Sequence, residues 1–297
     1  MILDGVEIED TFAEAFGMRA TRLIVTADTK RWARIAGDTA TGFATSVIAC
    51  GAEAGIERDL TPDETPDGRP GIALLLFAVS RDALTKALRD RVGQCILTCP
   101  GTACFAGLDE GERLPMGRAL RYFGDGYQAA KRLAGKRYWR IPVMDGEFLC
   151  EDTIGQVKAV GGGNFLILGR TRAGVLAAAE RAVDEMRRLL GVIMPFPGGI
   201  ARSGSKIGSR YKGLVASTND AYCPTIKGVV ATALPPAVDA VLEIVIDGLT
   251  ESSVATAMAC GIRAACAGND GQVLRITAGN YGGKLGPFHF HLREILA

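Results

Sequence analysis

Histidine is scarce in this chain, and this scarcity argues against several classes of enzyme as the function of the protein. The chain has two histidines, His289 and His291, and both lie among the last ten residues. A Ser-His-Asp or Cys-His arrangement would have to use one of these two rings. The pair alternates with phenylalanine, which places both rings on one face of a predicted strand. Because no third ligand lies nearby, we interpret the pair as a polar strand face and not as a metal site.

Cys-x-x-Cys spacing is also absent, although the chain has eight cysteines. Cys95, Cys99 and Cys104 form a loose cluster, but no fourth ligand follows at the spacing of a zinc site. Eight cysteines in 297 residues are too few for a disulfide scaffold. The sequence therefore predicts buried, reduced thiols and no resident metal.

An excess of charge of one sign and long apolar runs are lacking as well. The chain has 34 Lys and Arg residues against 33 Asp and Glu, and its densest basic stretch, residues 131–140, is interpreted as a solvated face. No extended nucleic-acid surface is indicated. The longest apolar run, residues 72–79, is far shorter than the roughly 20 residues of a membrane helix. The acidic residues 1–10 do not resemble a signal peptide, so we expect a soluble, cytoplasmic protein.

The 38 glycines do not form a nucleotide-binding motif. The run at residues 279–285 is one residue short of a Walker A loop, and Leu285 stands where Ser or Thr would hold magnesium. The glycines at residues 161–163 precede a predicted strand, whereas a dinucleotide fingerprint precedes a helix. A Gly-x-Ser-x-Gly elbow is also missing. Transfer between two bound partners, or a binding module, is the function that these absences leave open.

One order of predicted elements occurs twice in the chain. In the N-terminal half, strand, helix, strand, turn, strand, helix and strand are predicted at residues 22–27, 29–41, 44–50, 51, 71–79, 81–92 and 95–98. In the C-terminal half the same series is predicted at residues 164–168, 173–190, 192–194, 195–199, 241–247, 251–266 and 272–276. This repeated order of strands and helices predicts an α+β protein with two ferredoxin-like (βαββαβ) lobes from an internal duplication.

We place the two lobes at residues 1–150 and 151–297, with helices on one face of each antiparallel sheet. The other face of each sheet is then expected to be open, and two such faces can enclose a cleft. Ligand sites commonly occupy junctions of this kind. Fold alone does not identify the chemistry.

Glu243 is the titratable residue that the strand pattern singles out. In the predicted strand at residues 241–247, Leu242 and its even-numbered neighbours face the helices, and Glu243 shares the opposite face with Val241 and Val245. A carboxyl group among valines in a half-dry cleft has a raised pKa, because burial disfavours the charged form. Such a group can stay protonated and act as a proton donor. A solvated Glu on an outer sheet face is the simpler interpretation of the same pattern.

Several strings of residues follow one another in an order that resembles a known family. They occupy residues 5–16, 41–48, 64–71, 123–128, 162–165, 195–199, 217–225 and 279–286. On these eight strings, which are spread over the whole chain, the sequence resembles the formylmethanofuran–tetrahydromethanopterin N-formyltransferases. One string alone would carry little weight, whereas eight in the same order are specific.

The resemblance implies a two-lobed enzyme, usually a homotetramer, that moves a formyl group directly between two carriers in a ternary complex. The carriers, methanofuran and tetrahydromethanopterin, are substrates, and neither a metal nor a covalent formyl-enzyme is implied. The family's proposed catalytic glutamate corresponds to Glu243. As further substrate-binding residues we assign Gly198, Gly199, Ser217, Thr218, Asn219, Asp220, Asp125 and Asn280.

The nearly neutral charge resembles the bacterial, methylotroph branch more than the strongly acidic archaeal members. In that branch the family works with other subunits of a formyltransferase/hydrolase complex in formaldehyde oxidation. The expected direction is then from formyl-tetrahydromethanopterin to methanofuran. Two alternatives stay open on the sequence: a non-catalytic subunit that binds the pterin carrier for a partner enzyme, and a hydrolase that acts on the formyl-pterin itself.

Overall fold

The computed structural model describes all 297 residues of the chain. Contacts divide it into two compact units. The N-terminal unit comprises Gly17–Val160 and Gly248–Thr250, and the C-terminal unit comprises Met1–Phe16, Gly161–Asp247 and Glu251–Ala297. The linear division near residue 150 stays a prediction. None of the helices is both long enough and apolar enough to cross a membrane.

The chain forms seventeen strands and seven α-helices. The strands are β1 Ile2–Leu3, β2 Val6–Ile8, β3 Phe12–Thr26, β4 Glu53–Leu60, β5 Gly71–Ala78, β6 Ala103–Ala106, β7 Glu112–Pro115, β8 Ala129–Leu133, β9 Lys136–Val143, β10 Gly146–Glu151, β11 Thr153–Gly169, β12 Val192–Ile193, β13 Ser205–Ile207, β14 Ala216–Thr218, β15 Ala240–Gly248, β16 Val273–Thr277 and β17 Phe288–His291. The helices are α1 Lys30–Thr41, α2 Val47–Cys50, α3 Arg81–Arg91, α4 Gly117–Leu120, α5 Arg172–Met186, α6 Glu251–Cys266 and α7 Leu292–Ile295.

The sheet of the N-terminal unit has the strand order β4-β5-β3-β6. These strands pair antiparallel, and α1 and α3 are the two crossover helices of the βαββαβ unit. Beyond β6 the sheet continues through β10, which is parallel to β6, and then through β9 and β8. The core combines Leu74 and Leu76 of β5, Ala33 and Ala36 of α1, and Leu88 of α3.

The sheet of the C-terminal unit repeats this order as β12-β15-β11-β16, with α5 and α6 as the crossover helices. Its outer edge also carries a parallel strand, because β2 pairs with β16. β11 presents alternate residues to its two sides: a Cβ on Gly163 would meet Val254 of α6, whereas Leu166 and Leu168 pack away from the helices. The predicted fold class, two ferredoxin-like lobes, is confirmed.

The predicted strand at residues 95–98 is wrong. The chain continues from α3 into a π-helical turn at Val92–Ile96, and the strand comes later, at β6. Leu88, Val92 and Ile96 recur every four residues and are all fully buried, so they extend one apolar helix face. A short apolar run does not by itself distinguish a strand from a buried helical turn.

The predicted strand at residues 44–50 is also wrong. Ser46 caps a single helical turn, α2, by accepting the Ile48 N–H at 3.3 Å, and Gly51 ends that turn in the left-handed region at φ 72°. The strand of this repeat is β4, which starts two residues after Gly51. A Ser before an apolar run and a Gly after it are helix-cap signals that outweigh the β-branched content here.

Candidate active site

Glu243 lies on β15, and the predicted alternation of this strand is confirmed. Leu242 lines a cavity together with Leu176 and Val183 of α5, which places the even-numbered side chains of β15 on the helix-covered face. Val241 packs on the opposite side with Leu166 and Leu168 of β11. Because side chains alternate along a strand, Glu243 shares the side of Val241.

The sheet face around Glu243 is less open than the strand pattern predicts. Tyr222, Leu234 and Val238 fold over this face and pack against Val241. Alongside the strand, Ala201 forms an isolated antiparallel bridge with Glu243, with N–H···O distances of 2.8 and 2.9 Å. These segments are too polar and irregular to be predicted as covering elements, yet with them in place the Glu243 side chain is only partly exposed.

Burial raises the pKa of Glu243 from 4.5 to about 7, and no hydrogen bond or nearby charge contributes to the shift. A carboxyl group in this state is about half protonated at neutral pH. It can therefore donate a proton and also accept one near neutral pH. This behaviour is typical of general acids and bases.

The glycine-rich loop between β16 and β17 encloses an anion, which is the protein's own Glu14. The carboxylate of Glu14 accepts the backbone N–H groups of Tyr281 at 2.8 Å, Gly283 at 3.0 Å, Gly286 at 3.0 Å and also Leu285. Successive N–H groups that point into one concavity form an anion-binding nest. The similarity of this run to a phosphate loop thus has a physical basis, but a side chain fills the nest.

Glu14 is 1% exposed, so its charge depends entirely on these amides. Burial alone would raise its pKa, but the hydrogen bonds from Tyr281, Leu285, Gly286 and Gly283 outweigh burial and hold the pKa below the ordinary value. Glu14 is therefore the ionised carboxylate of this unit, whereas Glu243 is its half-protonated counterpart.

Tyr281 connects this loop to the neighbourhood of Glu243. Its hydroxyl donates to the carbonyl oxygen of Ser205 at 3.1 Å. Burial raises the pKa of Tyr281, and the charges of Glu243 and Glu14 raise it further. The phenol ring therefore stands within electrostatic range of both carboxyl groups.

Ser217 and Thr218 lie on β14, which pairs with β13 in a small hairpin. The Ser217 hydroxyl donates to the carbonyl of Gly208 at 2.7 Å, so its proton is used within the hairpin. Thr218 is exposed, and its Oγ1 lies 3.3 Å from Cys223 Sγ. Thr218 thus presents its hydroxyl at the surface of the hairpin.

Asn219 and Asp220 follow the hairpin directly. The Asn219 carbonyl accepts the Tyr222 N–H at 3.0 Å and starts a short 3₁₀ turn. Asp220 accepts from Lys206 Nζ at 2.6 Å, and this hydrogen bond lowers the pKa of Asp220. Lys206, which was not assigned as a site residue from the sequence, therefore links β13 to the turn that follows β14.

Gly198 and Gly199 lie in a turn at Pro197–Gly199, at φ 66° and 88°. The Gly199 N–H donates to the Phe196 carbonyl at 2.7 Å, and a Cβ on Gly199 would approach Val183 to 2.8 Å. Gly198 lines the cavity of about 860 Å³ that Leu242 also lines. The two glycines therefore belong to the helix-covered side of the sheet.

Asn280 and Asp125 complete the predicted set. Asn280 precedes Tyr281 in the glycine-rich loop, and its side-chain amide donates to Thr11 Oγ1 at 2.8 Å. Asp125 belongs to the N-terminal unit and adopts the left-handed region at φ 50°. Its N–H donates to the Tyr122 carbonyl at 3.1 Å, which closes the last turn of the short 3₁₀ helix Arg121–Gly124.

The two histidines lie on one exposed face of β17, as the alternation predicts. Their rings stand 4.9 and 5.1 Å from the ring of Phe12, and Phe290 between them is buried. His289 Nε2 lies 3.1 Å from the carbonyl oxygen of Gly286. No group of three or more His, Cys, Asp or Glu side chains is arranged to hold a metal ion.

Glu14 and Tyr281 are the residues of this region that the sequence did not identify. Both lie inside strings that carried the family resemblance, residues 5–16 and 279–286, so a signal was present but not residue-specific. Their contact joins positions 267 residues apart and uses a backbone N–H. Every residue type except proline supplies such a donor, so no sequence pattern announces it.

Models of known families match both halves of the chain. The model described as formylmethanofuran-tetrahydromethanopterin formyltransferase matches residues 1–143, and the model for the proximal lobe of that enzyme matches residues 146–295. Among curated proteins, the formylmethanofuran–tetrahydromethanopterin formyltransferase of Methylococcus capsulatus is 63% identical over 298 residues, which cover 100% of both chains.

Solved structures show the same similarity. One chain of the formyltransferase/hydrolase complex from Methylorubrum extorquens, crystallised with methylofuran, superposes with a TM-score of 0.98 at 57% identity, covering 100% of this chain and 99% of that chain. The formyltransferase of Methanosarcina barkeri superposes with a TM-score of 0.94 at 49% identity, covering 99% of this chain and 100% of that chain.

Proposed function

Because this chain belongs to the formylmethanofuran–tetrahydromethanopterin formyltransferase family, it is a formyltransferase with these two carriers as substrates, and we propose that it transfers the formyl group directly, in a ternary complex. The proposal requires one group that manages a proton near neutral pH. The observation that carries it is Glu243, a half-buried carboxyl on the sheet face opposite the helices, whose pKa desolvation raises to about 7.

Formyl transfer between two nitrogen atoms is an acyl transfer. The acceptor amine attacks the formyl carbon and forms a C–N bond, and the carbonyl oxygen becomes an oxyanion. The bond to the donor nitrogen then breaks, and that nitrogen leaves with a proton. We propose that protonated Glu243 donates to the oxyanion or to the leaving nitrogen and recovers the proton released by the attacking amine. Alignment of the two carriers supplies the rest of the acceleration.

We propose roles in carrier binding for the remaining predicted residues, as direct contacts or as residues that shape the site. Thr218 and Asn219 are suited to donate hydrogen bonds, because Thr218 is exposed at the end of the hairpin and the partly exposed Asn219 follows it directly. The hydroxyl of Ser217 and the N–H of Gly199 already have acceptors within the protein. We therefore assign Ser217, Gly198 and Gly199 to shaping the site, together with Asp220, Asn280 and Asp125.

The test of the acid–base role is Glu243→Gln. The amide keeps the volume of the side chain but cannot exchange a proton, so we expect kcat to fall by ~10²-fold or more, the range for one acid–base group. Carrier binding and the folded state are expected to persist. In the wild type, kcat/KM is expected to fall as the pH rises through about 7, where Glu243 loses its proton.

The matched control is Glu7→Gln, on a strand of the same unit. Glu7 pairs with Arg275 at 2.8 Å and is half-exposed, so its replacement removes a carboxylate without touching the buried one. We expect this variant to retain the wild-type rate. Normal turnover of Glu243→Gln in the same assay would refute the role proposed for Glu243.

We further propose that the chain works with other subunits. A similar solved chain belongs to a formyltransferase/hydrolase complex. By analogy, this chain acts as a homotetrameric formyltransferase that passes formyl groups from tetrahydromethanopterin to methanofuran, and a hydrolase then releases formate. Sedimentation of the purified chain and of its complex would test the assembly.

A further inference from the structure

We propose that Glu14 is a positioning residue for formyl transfer: its carboxylate holds the Tyr281–Gly286 loop in the shape that places the Tyr281 ring beside Glu243. Glu14 itself touches no reacting atom in this proposal. The inference rests on the proposed role of Glu243, and it adds the residues that limit the access of solvent to Glu243.

The first step of the argument is the saturation of Glu14. A carboxylate offers about four lone-pair positions, and four amide N–H groups of one six-residue segment point at this one. Glu14 is itself anchored, because β3 and β17 pair antiparallel with Glu14 opposite His289. The carboxylate therefore connects a rigid strand to the centre of the loop.

The second step concerns what the loop would be without this anion. Gly282 and Gly283 adopt φ of 73° and 71°, and Lys284 and Leu285 are exposed, so few apolar contacts hold this segment. Without the carboxylate, four N–H groups around one concavity would lose their acceptor, which disfavours the observed shape. The conformation of the loop therefore depends on Glu14.

The third step leads from the loop to Glu243. Tyr281 donates its N–H to Glu14 at 2.8 Å and its hydroxyl to the Ser205 carbonyl at 3.1 Å, so both ends of the residue are fixed. Ser205 follows four residues after Ala201, which is bridged to Glu243. The Tyr281 residue is thus held by the Glu14 carboxylate on one side and by the segment that borders Glu243 on the other.

The charges around Glu243 show why this placement matters. The titratable groups on the elements near it are Tyr281 and Lys284 of the loop, Tyr222 of the covering segment, Glu14 of β3, Asp247 of its own strand, Arg202 next to Ala201, and Lys206 of β13, which is paired with Asp220. Burial, and none of these charges, raises the pKa of Glu243. Loss of the Tyr281 ring from its place admits water and moves the pKa of Glu243 back toward its ordinary value.

The experiment compares kcat, KM and pH profiles of Glu14→Gln with those of Glu53→Gln. Glu53 is the matched control, because it is a buried carboxylate that accepts one backbone N–H, from Val47 at 2.9 Å, in the N-terminal unit. For Glu14→Gln we expect kcat/KM to fall roughly 10–10²-fold, as for misplacement of a catalytic group. The fall of kcat/KM at alkaline pH, the alkaline limb of the profile, should also move to lower pH in Glu14→Gln. The alkaline limb of Glu53→Gln should stay where it is in the wild type.

Two variants of the loop keep the test decisive if Glu14→Gln does not fold. Tyr281→Ala leaves the nest intact but removes the ring, so the alkaline limb should move to lower pH as well. Tyr281→Phe keeps the ring and the N–H bond to Glu14, so its alkaline limb should lie closer to that of the wild type than the limb of Tyr281→Ala does. A limb that stays near pH 7 in Tyr281→Ala, or in a folded Glu14→Gln, overturns the inference.

Failure of the proposed function looks different. In that case Glu243→Gln turns over normally, and the pH profiles of all variants lack a limb that depends on Glu243. Failure of the positioning role alone leaves Glu243→Gln inactive, while Glu14→Gln and Tyr281→Ala keep the wild-type rate and pH profile.

Discussion

Two glutamates of the same unit show how environment sets the state of a carboxyl group. Glu14 is almost completely buried, yet four amide donors keep its pKa below the ordinary value. Glu243 is less enclosed, but its pKa rises to about 7 because no donor compensates for lost solvation. The same residue type is therefore a fixed anion at one position and a proton carrier at the other.

The raised pKa of Glu243 predicts a cost in stability that the catalytic role explains. The folded state keeps its proton up to a pH of about 7, whereas the unfolded chain loses it near 4.5, so the native state loses relative stability as the pH rises from 4.5 to 7. Glu243→Gln removes this cost. We expect its free energy of unfolding at pH 8 to exceed that of the wild type by about 3–4 kcal/mol, since one pKa unit corresponds to about 1.4 kcal/mol and the pKa rises from 4.5 to about 7.

Denaturant unfolding at pH 4 and pH 8 measures this effect. At pH 4 both states of the wild type are protonated at this position, so the two proteins should unfold alike. A variant that is less active but no more stable at pH 8 would show that Glu243 carries its charge at low cost, and the acid role would lose its physical basis.

At the scale of elements, helix boundaries follow local chemistry closely. α6 begins and ends at the residues that periodicity predicts, and α1 and α5 begin directly after the threonines that cap them. Short apolar strands are harder to predict than helices, because segments such as residues 44–50 and 95–98 fit a helical turn as well as a strand. The errors therefore fall where a segment is too short for its period to be read.

The cap of α5 gives a prediction at this scale. Thr171 accepts the Gly174 N–H at 3.1 Å and donates to Gln272 Oε1 at 2.8 Å, so its hydroxyl links the helix start to the turn before β16. We expect Thr171→Ala to lower the free energy of unfolding by about 1 kcal/mol and Tm by about 2–4 °C. Thr171→Ser keeps the hydroxyl and should retain most of the stability. Calorimetry of both variants checks this, and kcat should not change in either.

For the whole molecule, the decisive property is dependence on both carriers. We expect the purified chain to release the formyl group of formyl-tetrahydromethanopterin only when methanofuran is present, with formylmethanofuran as the product. A direct transfer without a covalent formyl-enzyme requires both carriers at once, so steady-state kinetics should show intersecting and not parallel lines. Formate that appears without methanofuran would identify a hydrolase.

Sequence alone determined the two βαββαβ halves and the side of β15 on which Glu243 lies. Both follow from periods of about 3.6 and 2 residues, which are local properties of the chain. The family resemblance was also available, because eight strings in one order require no coordinates.

Only the tertiary structure decided what surrounds Glu243. The segment around Tyr222 and Val238 covers its face, and the Glu14 nest fixes Tyr281 across 267 residues of sequence. These contacts depend on backbone N–H groups and on loops that fold back over the sheet, and neither has a residue-specific signature. The pKa that makes Glu243 useful arises from lost solvation, which is a property of the surrounding volume and not of any one residue.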